Sequence, residues 1–294
     1  MAAVTVTILV AAHAPVNDKA RRQNDFGGFG MISTFLLQLG AGCLLGAMPV
    51  PSAATGRAFN RFIPSLSAVI LILGLGAAWS GRSVSAAGVI WLSAVAACLA
   101  AAAASHVGRL APGRQFLWVA TASATAAVVF DAFALANAGD GASPILSLRY
   151  VLDALSSAWL LGSILIAMIL GHYYLNITGL AIKHLIRLCV VAMAAVGLRT
   201  LVFAWGLAID GPGLVAPMLQ GNFDDGGTIL SLVVLAQRLL FGIAGTAALT
   251  VMAWRTAKIS ATQSATGILY IGFISVLVGE LASRYLLFGT GRPL

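Results

Sequence analysis

The chain alternates between apolar runs of about twenty residues and short polar stretches. A helix needs about twenty apolar residues to cross a hydrocarbon core of about 30 Å, so each run has the length of a membrane span. The predicted spans are Phe26–Val50, Ile63–Ser80, Ser85–Ser105, Phe116–Ala138, Val151–Leu175, His184–Ile209, Gly227–Trp254 and Ser264–Phe288. Backbone groups find no water in hydrocarbon, and a β-barrel would show alternating segments of about ten residues instead. We therefore expect an all-α integral membrane protein, a polytopic bundle of about eight transmembrane helices.

The first 25 residues have a different pattern from the spans. Met1–Ala14 is apolar but too short to cross a bilayer, and the first basic residue, Lys19, follows this run. A signal peptide has its positive charge before its apolar region, so the order argues against one. We expect residues 1–25 to be a loosely held or interfacial segment and residues 26–290 to be a single transmembrane domain.

Composition supports the bilayer as the main partner of the chain. Apolar residues make up 60% of the sequence and charged residues only 9%, against about 45–50% and about 25% in soluble domains. Such a chain could not cover a water-facing surface with charge. The net charge of +8 comes from basic residues that lie mostly between the apolar runs, so it indicates membrane orientation and no nucleic-acid partner.

The basic residues in the connections predict the orientation of the bundle. The connections after the odd-numbered spans hold Arg57, Arg61, Arg109, Arg114, Lys183, Arg255 and Lys258. The connections after the even-numbered spans hold only Arg82 and Arg149, whereas Lys19 beside the first span argues the other way. The positive-inside rule then puts both termini on the outer (periplasmic) side. We expect a multi-pass protein of a bacterial inner membrane.

Small residues recur at the spacing of helix packing sites. Gly42 and Gly46 lie four positions apart in the first span, where the absence of side chains lets helix backbones approach closely. Tight packing within the bundle is the expected use of this pair, and a dimer contact is the alternative.

Several ionisable side chains fall inside the predicted spans, and six of them are the candidates for chemistry there. These six are Asp131, Asp153, Arg199, Arg238, Glu280 and Arg284. Each costs about 2.5–3.5 kcal/mol to insert, so such residues face a partner, the bundle interior or a water-filled cavity. In the predicted orientation all six lie in the outer half of the membrane. Glu280 and Arg284 are four residues apart on one helix face and can pair directly.

Two interpretations of these six residues stay open. They can be structural, holding the fourth to eighth helices together as a neutral network of three cations and three carboxylates. Alternatively they line a polar pocket that opens to the outer leaflet. In that case Glu280 or Asp131 exchanges a proton, and the arginines together with Asp153 bind and orient a carbonyl or an anion.

A second group of polar residues lies at the predicted inner end of the fifth span. The sequence there is Gly171-His172-Tyr173-Tyr174-Leu175. A histidine between apolar spans can ligate haem b or handle a proton, and His172 with Tyr173 is also a candidate to bind a quinone. A belt of aromatic and histidine residues at the membrane interface is the alternative. The sequence contains no zinc-type spacing of cysteine and histidine, and no other metal motif.

The final span reads Gly279-Glu280-Leu281-Ala282-Ser283-Arg284-Tyr285-Leu286-Leu287-Phe288. With this stretch, its size, eight helices and both ends outside, the chain resembles the membrane anchor subunits of dimethyl sulfoxide reductase-type complexes. That family associates quinol with a carboxylate in an early helix, whereas the third span here has none and Asp131 in the fourth is the nearest. The resemblance implies a subunit that oxidises quinol and passes electrons to docked redox subunits.

The expected function is therefore a quinone-interacting anchor of an electron-transfer complex, with quinone or quinol as the bound molecule and redox proteins as partners. Glu280 is the expected proton acceptor. A proton-coupled transporter or channel with a charged outer-leaflet site is one alternative, and a structural or assembly subunit is another. The sequence leaves open whether the chain is itself catalytic.

Overall fold

The computed structural model describes residues 18–79, 86–106, 110–137, 143–176, 180–219, 226–290 and 293. The helices are α1 (Asp18–Ala47), α2 (Ser52–Trp79), α3 (Ala86–His106), α4 (Leu110–Ala136), α5 (Pro144–Asn176), α6 (Lys183–Leu219), α7 (Gly226–Gln237, Arg238–Gly245 and Thr246–Lys258 in succession) and α8 (Thr262–Thr290). Within these ranges the chain is all-helical, and eight helices are long and apolar enough to span a membrane. The predicted all-α membrane architecture is confirmed.

Helix boundaries differ from the predicted spans mainly at polar ends. Helix α1 begins at Asp18 rather than Phe26, and α5 begins at Pro144 rather than Val151. Helix α6 continues past Ile209 to Leu219. Hydropathy identifies only the part of a helix that is apolar enough for the hydrocarbon core, whereas the backbone stays helical in the membrane–water interface. Residues 1–17 of the predicted amino-terminal segment lie outside the described ranges, and the orientation of the bundle stays a prediction.

Helix α5 lies at the centre of the bundle. It contacts α1, α4, α6 and α8, and 78% of its apolar window is buried. Helix α7 is the opposite case, because only 17% of its window is buried. Most side chains in the apolar window of α5 are therefore positioned by neighbouring helices, whereas much of α7 is left to face lipid.

Helices α1 and α5 cross in close contact through glycines. A Cβ on Gly42 would overlap the backbone oxygen of Ala158, and a Cβ on Gly162 would overlap the backbone of Gly42. Gly46 faces the backbone of Gly162 at the same crossing. The expected use of Gly42 and Gly46 in packing within the bundle is confirmed, and this contact brings α1 against the polar face of α5.

Helix α7 changes register in its middle. Arg238–Gly245 is π-helical, and the carbonyl of Phe241 accepts the backbone N–H of Thr246 within it. The same carbonyl also accepts hydrogen bonds from Ser275 Oγ on α8 at 2.7 Å and from Thr246 Oγ1 at 3.0 Å. Gly242 in this segment packs on α8, where a Cβ would lie 2.8 Å from Gly279 Cα. Short π segments are rare and often mark functional sites. Here the segment places Arg238 beside the polar part of α8.

Candidate functional site

Five of the six predicted ionisable residues converge between α5, α6, α7 and α8. They are Asp153, Arg199, Arg238, Glu280 and Arg284, here called the charge cluster. None is more than 3% exposed. Each of the four helices contributes at least one of these residues. Their burial is possible because opposite charges meet inside the bundle rather than in lipid.

Arg199 is the main link in the charge cluster. Its Nε donates to Glu280 Oε1 and its Nη2 to Glu280 Oε2, both at 2.8 Å. Its Nη1 donates to Asp153 Oδ1 at 2.6 Å, and the hydroxyls of Ser156 and Ser283 lie 3.2 and 3.0 Å from its guanidinium nitrogens. The planar fork of one arginine thus engages two carboxylates, which ties α6 to both α5 and α8.

Arg284 pairs with Asp153 and not with Glu280. Its Nη2 donates to Asp153 Oδ2, although the spacing in the sequence suggested a pair with Glu280 on the same helix. The reason is the rotation of α8, which directs Glu280 toward Arg199 and leaves Arg284 to Asp153. The Nε of Arg284 is buried and has no hydrogen-bond partner within the described ranges.

Two uncharged side chains extend the charge cluster toward α1. Ser157 Oγ lies 2.7 Å from Glu280 Oε2 and 2.9 Å from Gln38 Oε1. A serine hydroxyl has one proton to donate, so it can serve only one of these two acceptors at a time. The Nε2 of Gln38 is buried without a hydrogen-bond partner.

Arg238 is buried next to an aromatic ring. Its Cζ lies 5.0 Å from the ring centroid of Phe203 on α6, a cation–π contact. Its Nη1 and Nη2 are buried, and neither has a hydrogen-bond partner among the described residues. Asp153 and Glu280 are near enough to interact with it electrostatically, as are the other two arginines. A buried charge without hydrogen bonds is costly, so Arg238 is the least satisfied member of the charge cluster.

The charges of the cluster do not balance. Among the described residues that form the cluster, three guanidinium groups face two carboxylates, which leaves one surplus positive charge within it. Asp131, expected to complete a neutral set, is partly exposed on α4, and none of the hydrogen bonds or ion pairs described for the charge cluster involves it. The arrangement therefore offers a surplus of N–H donors and a positive potential to any molecule that enters it.

His172 and Tyr173 lie at the other end of α5. Nineteen residues of helix separate His172 from Asp153, which corresponds to about 28 Å at about 1.5 Å per residue. His172 is exposed, with Tyr270 Oη 3.4 Å from its Nδ1, and Tyr173 packs edge-to-face on Phe59 with ring centroids 5.6 Å apart. These two residues are not part of the charge cluster, and haem or quinone binding by them stays a prediction.

The sequence reasoning missed the polar neighbours of the charged residues. Ser156 and Ser157 follow Asp153 by three and four positions, and Ser283 follows Glu280 by three. Those spacings put them on the same helix faces as the carboxylates, and this was the available signal. Gln38 had no such signal, because only the α1–α5 crossing brings it close.

In the part of the chain that the structure describes, no group of three or more histidine, cysteine, aspartate or glutamate residues could hold a metal ion. Comparison with protein-family models, with curated proteins and with solved structures finds no match to this chain.

Proposed function

We propose that this chain is the membrane anchor subunit of an electron-transfer complex and that it binds a quinone at the charge cluster. The observation behind the proposal is a surplus of donors. Several buried N–H groups in or beside the cluster have no hydrogen-bond partner among the residues that the structure describes. They are Gln38 Nε2, Arg238 Nη1 and Nη2, and Arg284 Nε. A quinone presents two carbonyl oxygens, which are the acceptors that these groups lack.

The residues of the cluster have distinct roles in this proposal. Arg238 binds and orients a quinone carbonyl, and Arg199 and Arg284 hold the carboxylates in place. Glu280 is the proton acceptor, with Ser157 as the hydroxyl through which a proton reaches it, since Ser157 Oγ contacts Glu280 directly. When bound, a quinone supplies the carriage of electrons and protons between complexes. The redox subunits that would receive the electrons are the proposed partners.

The test begins with native purification from the membrane. Redox subunits that co-purify with the chain, an optical spectrum and extracted quinone would together support the proposal. In the fraction of the complex that assembles and is purified, we expect Glu280→Gln to abolish quinol-dependent reduction. The matched control is Arg187→Gln, because Arg187 lies exposed on α6 and donates to the Pro49 carbonyl at 3.3 Å, away from the cluster. Wild-type turnover by the Glu280→Gln complex would end the proposal.

A transporter is the second candidate, and two observations favour it. The surplus positive charge suits an anionic substrate, and the π-helical part of α7 is a local interruption of a membrane helix beside the charges. Transporter sites often use interrupted helices near the membrane midplane. Uptake of a substrate by the purified chain in liposomes, without any partner protein, would favour this candidate over the anchor.

A further inference from the structure

The terminal nitrogens of Arg238 form an unused hydrogen-bonding fork. Nη1 and Nη2 are both buried, neither has a hydrogen-bond partner in the part of the chain that the structure describes, and the residue as a whole is 2% exposed. A guanidinium presents these two N–H groups in one plane, at the separation of the two oxygens of a carboxylate. Ion pairs of this bidentate kind already occur in the cluster, between Arg199 and Glu280.

A neutral ligand would leave the charge of the cluster uncompensated. Two carboxylates face three guanidinium groups, and the carboxylates are held by Arg199 and Arg284. Arg238 is therefore the arginine of the cluster whose positive charge the two carboxylates do not pair with. A quinone carbonyl can accept a hydrogen bond from Arg238, but it brings no negative charge. A single anionic group would supply both the acceptors and the charge.

We propose that Arg238 binds a monocarboxylate, whose two oxygens accept hydrogen bonds from Nη1 and Nη2. The inference is independent of the quinone proposal, because it follows from the charge balance and would hold for an anchor or a transporter. A carboxylate and a quinone would compete for the same two N–H groups of Arg238. The carboxylate belongs either to a small free acid or to a fatty acid from the bilayer. Both sources present the same group to Arg238.

The surroundings of Arg238 fix its position for this role. The π-helical turn and the close contact between Gly242 and Gly279 hold this part of α7 against α8. On the other side, the Cζ of Arg238 lies over the ring of Phe203, 5.0 Å from its centroid. A guanidinium held by an aromatic ring, with two N–H groups that have no partner among the described residues, is suited to carboxylate recognition.

The test uses the whole chain in phosphatidylcholine nanodiscs, prepared in a buffer free of carboxylates. Acetate, oleate, acetamide and chloride are titrated by calorimetry. We expect saturable binding of acetate or oleate at one per chain and no binding of acetamide. Arg238→Gln should weaken the carboxylate at least about tenfold, which corresponds to about 1.4 kcal/mol, and the control Arg187→Gln should leave it unchanged.

A measurement on the unmodified chain covers the case in which Arg238→Gln does not fold. With ¹³C-carboxyl acetate or oleate and ¹⁵N-arginine, solid-state NMR should detect dipolar coupling between the carboxyl carbon and guanidinium nitrogens. Arg238→Lys keeps the charge but loses the fork, so it should lose the preference for acetate over chloride. Binding of oleate alone would assign a lipid source, and binding of acetate as well would assign a free acid.

Three results would overturn the inference. They are the absence of saturable carboxylate binding and of the NMR coupling, undiminished binding by folded Arg238→Gln, and chloride binding as tight as that of acetate. Quinone binding is measured on the same samples. Carboxylate binding without quinone binding would end only the quinone proposal, and the reverse result would end only this one.

Discussion

The guanidinium of Arg199 holds Glu280 through two parallel hydrogen bonds, Nε to Oε1 and Nη2 to Oε2, each 2.8 Å long. This ion pair joins α6 to α8. The third guanidinium nitrogen of Arg199, Nη1, donates to Asp153 on α5. Three helices therefore depend on one buried arginine. In hydrocarbon surroundings the loss of one partner leaves the other charges without compensation.

Arg199→Met should be strongly destabilising. The substitution leaves Glu280 with the hydrogen bond from Ser157 and leaves Asp153 with the ion pair to Arg284. We therefore expect a loss of about 3–5 kcal/mol of folding free energy. Denaturation of the purified protein in detergent micelles measures the change. Arg187→Met is the control, since it removes an exposed arginine of the same helix. Equal stability of the two variants would mean that the charge cluster does not hold the bundle together.

Removing a second charge should partly rescue the loss of Glu280. Glu280→Gln leaves three guanidinium groups facing Asp153 alone, whereas the double variant Glu280→Gln with Arg284→Met restores the original surplus of one. We expect the double variant to be more stable than Glu280→Gln, which is a non-additive result for residues in one network. Denaturation midpoints of both singles and the double test this. Wild-type function in the double variant would favour the structural interpretation of the cluster.

The helix crossing of α1 and α5 should not tolerate one methyl group. A Cβ at Gly162 would overlap the Gly42 backbone, which cannot move aside as a flexible side chain would. We expect Gly162→Ala to cost about 1–3 kcal/mol or more. Gly76→Ala is the control, because a Cβ at Gly76 meets nothing within 4 Å. Thermal unfolding of both variants is the measurement, and an unchanged transition for Gly162→Ala would contradict the described crossing.

Ser275→Ala should weaken the π-helical part of α7. The hydroxyl of Ser275 donates to the Phe241 carbonyl at 2.7 Å, so its loss should cost about 0.5–1.5 kcal/mol and should weaken any ligand bound at Arg238. Ser123→Ala on α4 is the control, because Ser123 bonds only to its own helix. Stability and acetate binding are measured together. Equal behaviour of the two variants would show that Ser275 does not support the segment.

Cysteine labelling tests the predicted orientation. The natural Cys43, Cys98 and Cys189 are buried, so they should react little in the folded protein. Ile259, in the α7–α8 turn, is 76% exposed, and Ile259→Cys should react with a membrane-impermeant maleimide only after the cells are permeabilised. Asn137→Cys, beyond the end of α4, should react in intact cells. The opposite labelling pattern would show that the bundle has the reverse orientation in the membrane.

The sequence predicted the helices well because hydropathy and length report directly on the bilayer. Eight apolar runs correspond to eight apolar helices, whereas the depth of the charged residues in the membrane stays a prediction. The sequence did not predict which charged side chains form ion pairs with each other. The partner of Arg284 depends on how α8 is rotated, and rotation is decided by packing, such as the contact between Gly242 and Gly279. The five-residue cluster was thus predictable as a group, whereas its hydrogen bonds and its surplus charge were not.

Gln38 and Ser157 are 119 positions apart in the chain, although they are hydrogen-bonded neighbours. At a synthesis rate of about 5–20 residues per second, about 6–24 s pass between the synthesis of Gln38 on α1 and that of Ser157 on α5. Throughout that interval the bare glycine face of α1 and the amide of Gln38 lack the helix that covers them in the finished bundle. The order of translation therefore places a demand on the membrane insertion machinery, which has to keep α1 available while three further helices emerge.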